Sequence, residues 1–236
     1  MTLRAATFGP VKRSLVTQQT IEPTQLVGFN QFYDDVVGSI SRFHVAAVDV
    51  QASAATTWGG EVGRQVARVG TGSANPGFAA IPEQTLRTEW LRVDATSRAS
   101  SRLVVALGAA TERFAWNPTV PTDQPTYVLT TKVPLTLRTF TPGGYFGEVV
   151  TTGVWQRVRR LDSAPSLSLS GSERFVVVDA SVGYRLPARR GTLSLDIKNL
   201  FGSRFSYQDD DFRSTESRLA PYLPVRRLWL KASLAF

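Results

Sequence analysis

The stretch Arg174 to Phe201, RFVVVDASVGYRLPARRGTLSLDIKNLF, decides how this chain is built. Val176, Val178, Ala180, Val182, Tyr184 and Leu186 share one parity, with Asp179, Ser181, Gly183 and Arg185 on the other. Beyond the turn residues PARRG (187–191), Leu193, Leu195 and Ile197 oppose Ser194, Asp196 and Lys198. Strict alternation on both sides of a Pro/Gly turn reads as a β-hairpin with one apolar face and one face carrying both signs of charge. The last residues, LWLKASLAF (228–236), repeat the pattern: Leu228, Leu230, Ala232, Leu234 and Phe236 alternate with Trp229, Lys231, Ser233 and Ala235.

Extending that reading along the chain gives strands at 3–12, 40–53, 56–69, 84–98, 101–116, 127–141, 145–159, 172–186, 191–204 and 223–236, with no amphipathic helix between them. In 101–115 the apolar parity is Leu103, Val105, Leu107 and Ala109, whereas 56–69 has no purely apolar parity. Most of these runs exceed the usual globular strand of about 5–6 residues and suit the ~9–11 tilted residues that cross a bilayer. Residues 13–39 fit either an extra strand near 25–32 or one long loop; an even strand count favours the loop.

The links alternate in length. Short ones fall at Ala54-Ala55, 98–100, TPGG (141–144) and PARRG, and long polar or Gly/Pro-rich ones at 70–83, 117–125, 161–170 and 206–222. Short turns on one side and long loops on the other are expected of an antiparallel barrel set in a membrane. The fold expected is therefore all-β, a transmembrane antiparallel β-barrel segment of about ten strands, with 1–236 as a single unit.

Composition agrees with this class. Charged residues make up 19%, below the roughly 25% common in soluble domains, and the mean hydropathy is −0.09. No run approaches the ~18 apolar residues a membrane helix needs. With no cysteine, disulfides and thiolate chemistry are excluded. The start, MTLRAATFGPVKR, lacks the apolar stretch of a signal peptide and already alternates, as if the chain opened inside a strand. A net charge of +8 permits nucleic acid, an anionic surface or an acidic ligand as partner. The arginines are scattered along the sequence rather than clustered, which speaks against a nucleic-acid patch.

The stretch VDASVGYRLPARRGTLSLDIKNLFGSRFSYQ, with the closing LAPYLPVRRLWLKASLAF, resembles the carboxyl-terminal end of the TonB-dependent outer-membrane receptors. The matching positions are Val182, Tyr184 and Leu186 before the turn, Asn199, Leu200 and Phe201 after the next strand, Arg226, and the terminal Phe236. More loosely, 3–13 and 20–35 look like barrel segments of TonB-receptor-like proteins. The resemblance implies a barrel of about 22 strands with an amino-terminal plug, importing ligands such as metal chelates with energy from the inner-membrane TonB protein. It also implies that the terminal stripe Leu228, Leu230, Leu234 and Phe236 is read by the outer-membrane assembly machinery. This chain departs from the pattern in having about ten strands, no plug and no short box for the energising partner. The expectation is thus a carboxyl-terminal portion of such a barrel in the cell outer membrane of a Gram-negative bacterium. Its partners would be outer-membrane lipid, the rest of the barrel and plug, and an unknown small ligand.

No enzymatic motif is present: neither Gly-x-Ser-x-Gly, nor a phosphate loop, nor zinc-ligand spacing occurs. No cofactor, metal site or nucleic-acid partner is expected. His44 reads as a lumen or interface side chain. The run Asp209-Asp210-Asp211 reads as a solvated loop before it reads as a cation site, because it lacks spaced ligands. Trp58, Trp90, Trp116, Trp155, Tyr127 and Tyr145 fall near strand ends, where interfacial aromatic girdles belong. Arg185, Lys198 and Lys231 are candidate lumen cations, with pairing to Asp179 and Asp196 the preferred reading over anion selection. The alternative to the whole scheme is a soluble β-barrel or sandwich that binds a small ligand; closure as a small independent barrel is a further one.

Overall fold

A computed structural model describes residues 1–9, 24–26, 29–31, 39–70, 83–117, 124–160, 171–187, 190–209 and 220–234. In chain order its strands are β1 (Thr2–Phe8), β2 (Thr24–Leu26), β3 (Phe29–Gln31), β4 (Ile40–Gln51), β5 (Thr56–Gly70) and β6 (Glu83–Arg98). They continue with β7 (Leu103–Trp116), β8 (Pro125–Phe140), β9 (Tyr145–Arg160), β10 (Gly171–Arg185), β11 (Gly191–Lys198) and β12 (Arg227–Leu234). Ten of them form one sheet in the order β1-β4-β5-β6-β7-β8-β9-β10-β11-β12. Every pairing in it is antiparallel. The ten expected strands are these ten.

The sheet is not closed into a barrel: β1 pairs only with β4, and β12 only with β11. Two further expectations change. The strand expected over 191–204 stops at Lys198, because Asn199 takes a left-handed φ of 50° and turns the chain. The strand expected from 223 begins at Arg227. Within 13–39, the described residues form a separate two-stranded hairpin, β2 with β3, and add no strand to the large sheet.

Because side chains alternate and partners directly opposite share a face, register assigns every strand residue to one of two surfaces. Val182 stands opposite Leu195, which stands opposite Leu230. On its other side the row runs through Gly147, Thr139 and Leu103. Followed across all strands, this surface carries a broad apolar stripe with arginines along its long-link border, and it is the uncovered one. All but Met1, Phe140, Phe201 and Val225 of the large hydrophobic side chains left exposed among the described residues lie on it, Leu91 at 53% and Leu230 at 82%. The opposite surface carries the polar residues, and is the covered one: Val154, Val177, Phe114, Thr130 and Gln156 are all buried there.

The short links close tightly, each for a local reason. The Ser100 hydroxyl accepts from the N–H groups of Arg102 and Leu103. In TPGG, Gly144 N–H donates to Thr141 O at 3.1 Å, Pro142 supplies its fixed φ, and Gly144 takes φ 90°. A Cβ on Gly144 would lie 2.8 Å from the Arg185 carbonyl oxygen, so the next strand also requires glycine here.

Two pieces cover the polar surface. The return from β11 to β12 lays Phe205 flat on Phe175, ring centroids 4.0 Å apart. Gln208 bonds reciprocally with Gln156, its N–H donating to Oε1 and its carbonyl accepting from Nε2. At the other flank Phe29 packs with Val45 and Ala47, beside Ala6, Phe8 and Trp90.

Candidate functional site

Charge on the polar surface is arranged in cross-strand pairs. Asp49 accepts from Arg4 at 2.8 Å. Arg92 lies 3.6 Å from Glu61 and 4.0 Å from Glu112, and Arg138 pairs with Glu148. Lys198 stands 2.7 Å from Asp179 and Lys231 2.5 Å from Asp196. Opposite charges on neighbouring strands, directly across a ladder or diagonal to it, neutralise each other while keeping the surface wettable. Of the three candidate lumen cations, Lys198 and Lys231 are therefore matched. Arg185 is exposed and makes no ion pair among the described residues.

The Asn-Leu-Phe motif and Arg226 are brought to one place. Asn199 is 1% exposed, and its carboxamide is fully used. Nδ2 donates to Ser203 O at 2.8 Å and Leu223 O at 3.0 Å, and Oδ1 accepts from Ser203 N–H at 2.8 Å. Its backbone N–H donates to Asp179 Oδ1 at 2.9 Å, and Leu200 N–H to Val178 O at 2.7 Å. The Arg226 guanidinium passes over Gly202, and Phe201 is exposed. One buried amide thus ties the end of β11 to the entry of β12 and to β10.

Above this tie sits a cluster that sequence reading missed. Lys132 Nζ lies 5.7 Å from the Tyr207 ring centre and 5.5 Å from that of Tyr222. The two tyrosines meet edge-to-face at 5.2 Å. Burial, then the charge of Asp179, raise the Tyr222 phenol above its ordinary range. The cation, two phenols and the stacked Phe175–Phe205 pair make a cation-π contact surface on the covered side of the sheet. The missed signal was parity: Lys132 shares its face with Thr130 and Val128, opposite the apolar Val133 and Leu135.

Aromatic residues border the apolar surface at both ends. Trp58 and Tyr145 stand toward the short turns, Tyr127 and Trp155 toward the long links. Trp90 and Trp116 are corrections to the girdle expectation, because their parity turns them to the polar surface. There their indole N–H groups donate to Glu61 at 2.6 Å and Gln84 at 2.8 Å. His44 is exposed on the apolar surface, its Nδ1 3.1 Å from the Thr7 hydroxyl, on the face opposite Lys198 and Lys231. Between Leu103, Leu137, Gly147, Val149, Val182 and Leu195 lies a shallow apolar depression of about 320 Å³.

Of the terminal stripe, Leu228, Leu230 and Leu234 are exposed on the apolar surface, while Phe236 lies outside the described residues, as do Asp210 and Asp211. Among the described residues no three His, Asp or Glu side chains come together in a way that would hold a metal ion, and no helix is long and apolar enough to cross a membrane. No family model matches the chain, and neither a curated protein nor a solved structure matches it.

Proposed function

We propose that this chain is a section of an outer-membrane β-barrel of the TonB-dependent receptor type, through which a ligand such as a metal chelate or another nutrient passes. The observation that carries the reading is the inversion of the sheet's faces. Leucines and valines of the apolar surface stand open, whereas most of the ion pairs and the buried amides occupy the covered one. Each such side chain contributes about 1.5–3 kcal/mol when it leaves water, so an uncovered leucine surface asks for an apolar surrounding. Lipid supplies it. From Val176 to Tyr184 the apolar run on β10 covers roughly 26 Å of strand; at a tilt of about 40° its height is about 20 Å, suited to a thin bilayer.

In this reading the paired polar surface faces a wet lumen, and the Lys132–tyrosine cluster lines the ligand's path. The free edges of β1 and β12 take further strands of the barrel. The plug and the TonB protein then supply gating and energy, and the assembly machinery reads the carboxyl-terminal stripe. Expression in a Gram-negative host followed by membrane fractionation tests the proposal. The chain should sediment with the outer membrane and resist alkaline extraction. Recovery as a detergent-free soluble monomer would overturn it in favour of a soluble ligand-binding β protein.

A further inference from the structure

Arginines scattered in the sequence become a belt in space. On β10 the apolar run ends at Val176, and the next residue on that surface toward the long link is Arg174. The corresponding positions are Arg157 after Trp155 on β9, Arg113 after Thr111 on β7, and Arg64 after Val62 on β5. On β6 Glu89 and Arg87 follow Leu91, and on β4 His44 and Arg42 follow Ala46. Register places all of them on the apolar surface, at its long-link border. All six arginines are exposed.

Glu89 satisfies two of them, 3.6 Å from Arg64 and 3.2 Å from Arg113. Tyr127 lies between Arg113 and Arg159, with the two guanidinium carbons 5.8 and 5.3 Å from its ring centre. Arg42, Arg87, Arg157 and Arg174 make no ion pair among the described residues. Asp49, Glu61, Glu112, Glu148, Asp179 and Asp196 all stand on the other surface, so nothing there reaches across to neutralise the belt. A large part of the chain's +8 excess is therefore concentrated on one border of one face.

We infer that this belt binds the phosphate groups of anionic membrane amphiphiles, lipids whose acyl chains lie along the leucine surface directly below. The inference rests on the membrane reading above and names the partner of its outer border. Three features select that occupant. The guanidinium fork matches phosphate geometry in a way that solvated surface charge does not require. The belt is continuous with an apolar surface on the same face, so its ligand needs an apolar body and an anionic head at one level. It extends along a border from β4 to β10 instead of lining one concavity, which suits many small headgroups side by side. A nucleic acid would neutralise the arginines but leave the leucines below them in water.

The test is fluorescence quenching of the full chain, reconstituted in vesicles containing brominated phosphatidylcholine or brominated phosphatidylglycerol. Trp155, opposite Arg174 in register, reports contact at the belt, and Trp58 reports contact at the other border of the same surface. Phosphatidylglycerol should be preferred by at least about fivefold, the effect expected of one arginine near an anionic surface, and salt should weaken that preference. Replacing all six belt arginines together by Gln should bring it to about one, and replacing them by Lys, which keeps the charge but not the guanidinium fork, should leave an intermediate preference. Equal quenching by both lipids in wild type would overturn the inference while leaving the membrane reading standing. So would an undiminished preference in the Gln variant, or stronger binding of duplex DNA than of vesicles. Absence of quenching by either lipid would overturn both.

Discussion

Asn199 is where one side chain carries most. Both its amide hydrogens and its carbonyl oxygen are engaged while the residue is almost fully buried, so truncation strands two backbone carbonyls and one N–H. Asn199→Ala should cost about 3 kcal/mol, read as a lower urea midpoint of the detergent-refolded chain. Asn199→Asp keeps the volume and one acceptor but places oxygen against oxygen, and should be at least as harmful. Lys231→Ala is the contrast: its pair with Asp196 leaves the lysine side chain 67% exposed, and such pairs contribute less than about 1 kcal/mol. An equal loss for Lys231→Ala and Asn199→Ala would contradict this ordering. The position of Asn199 was legible through the family resemblance. Its role was not, because its partners Ser203 and Leu223 are set by the return of the chain.

At the scale of the strand, period-two alternation was enough to find every member of the large sheet and, on β7, β10, β11 and β12, its two faces, since a one-residue slip would turn all the leucines over. What alternation missed were its interruptions. Asn199 ends β11 early, a stop that the turn preference of asparagine signals. Trp90 and Trp116 were judged by nearness to strand ends, although their even numbers, against Leu91 and Val93 or Thr111 and Arg113, already put them on the other face. The β11–β12 pairing has one position with no tolerance. Gly191 has φ 143°, and a Cβ there would lie 1.9 Å from the Ser233 carbonyl oxygen. Gly191→Val should therefore detach the end of β12 and cost about 3 kcal/mol or more, with amide exchange accelerated at Lys231 to Leu234. Unchanged protection of those amides would contradict the register.

For the whole molecule, the decisive contrast is between a bilayer and water as the surrounding medium. Leu107 stands exposed beside Leu135 near the middle of the apolar surface. In a lipid-facing position Leu107→Arg should destabilise the refolded protein in vesicles by about 2–4 kcal/mol; on a soluble protein it should be neutral and should improve solubility. Thermal unfolding in vesicles and solubility without detergent therefore move in directions that separate the two readings. The arginine belt was invisible at this scale in the sequence. Its members lie tens of residues apart, and only the completed register makes them neighbours. Strand order has a consequence of its own, in kinetics. From β4 to β12 each strand pairs with the next one along the chain, so every ladder joins sequence neighbours across a single turn or link and none awaits a partner beyond the next strand. Such a sheet can zip together hairpin after hairpin. A chain severed between β9 and β10 should accordingly yield two pieces that recover the whole by re-forming a single seam.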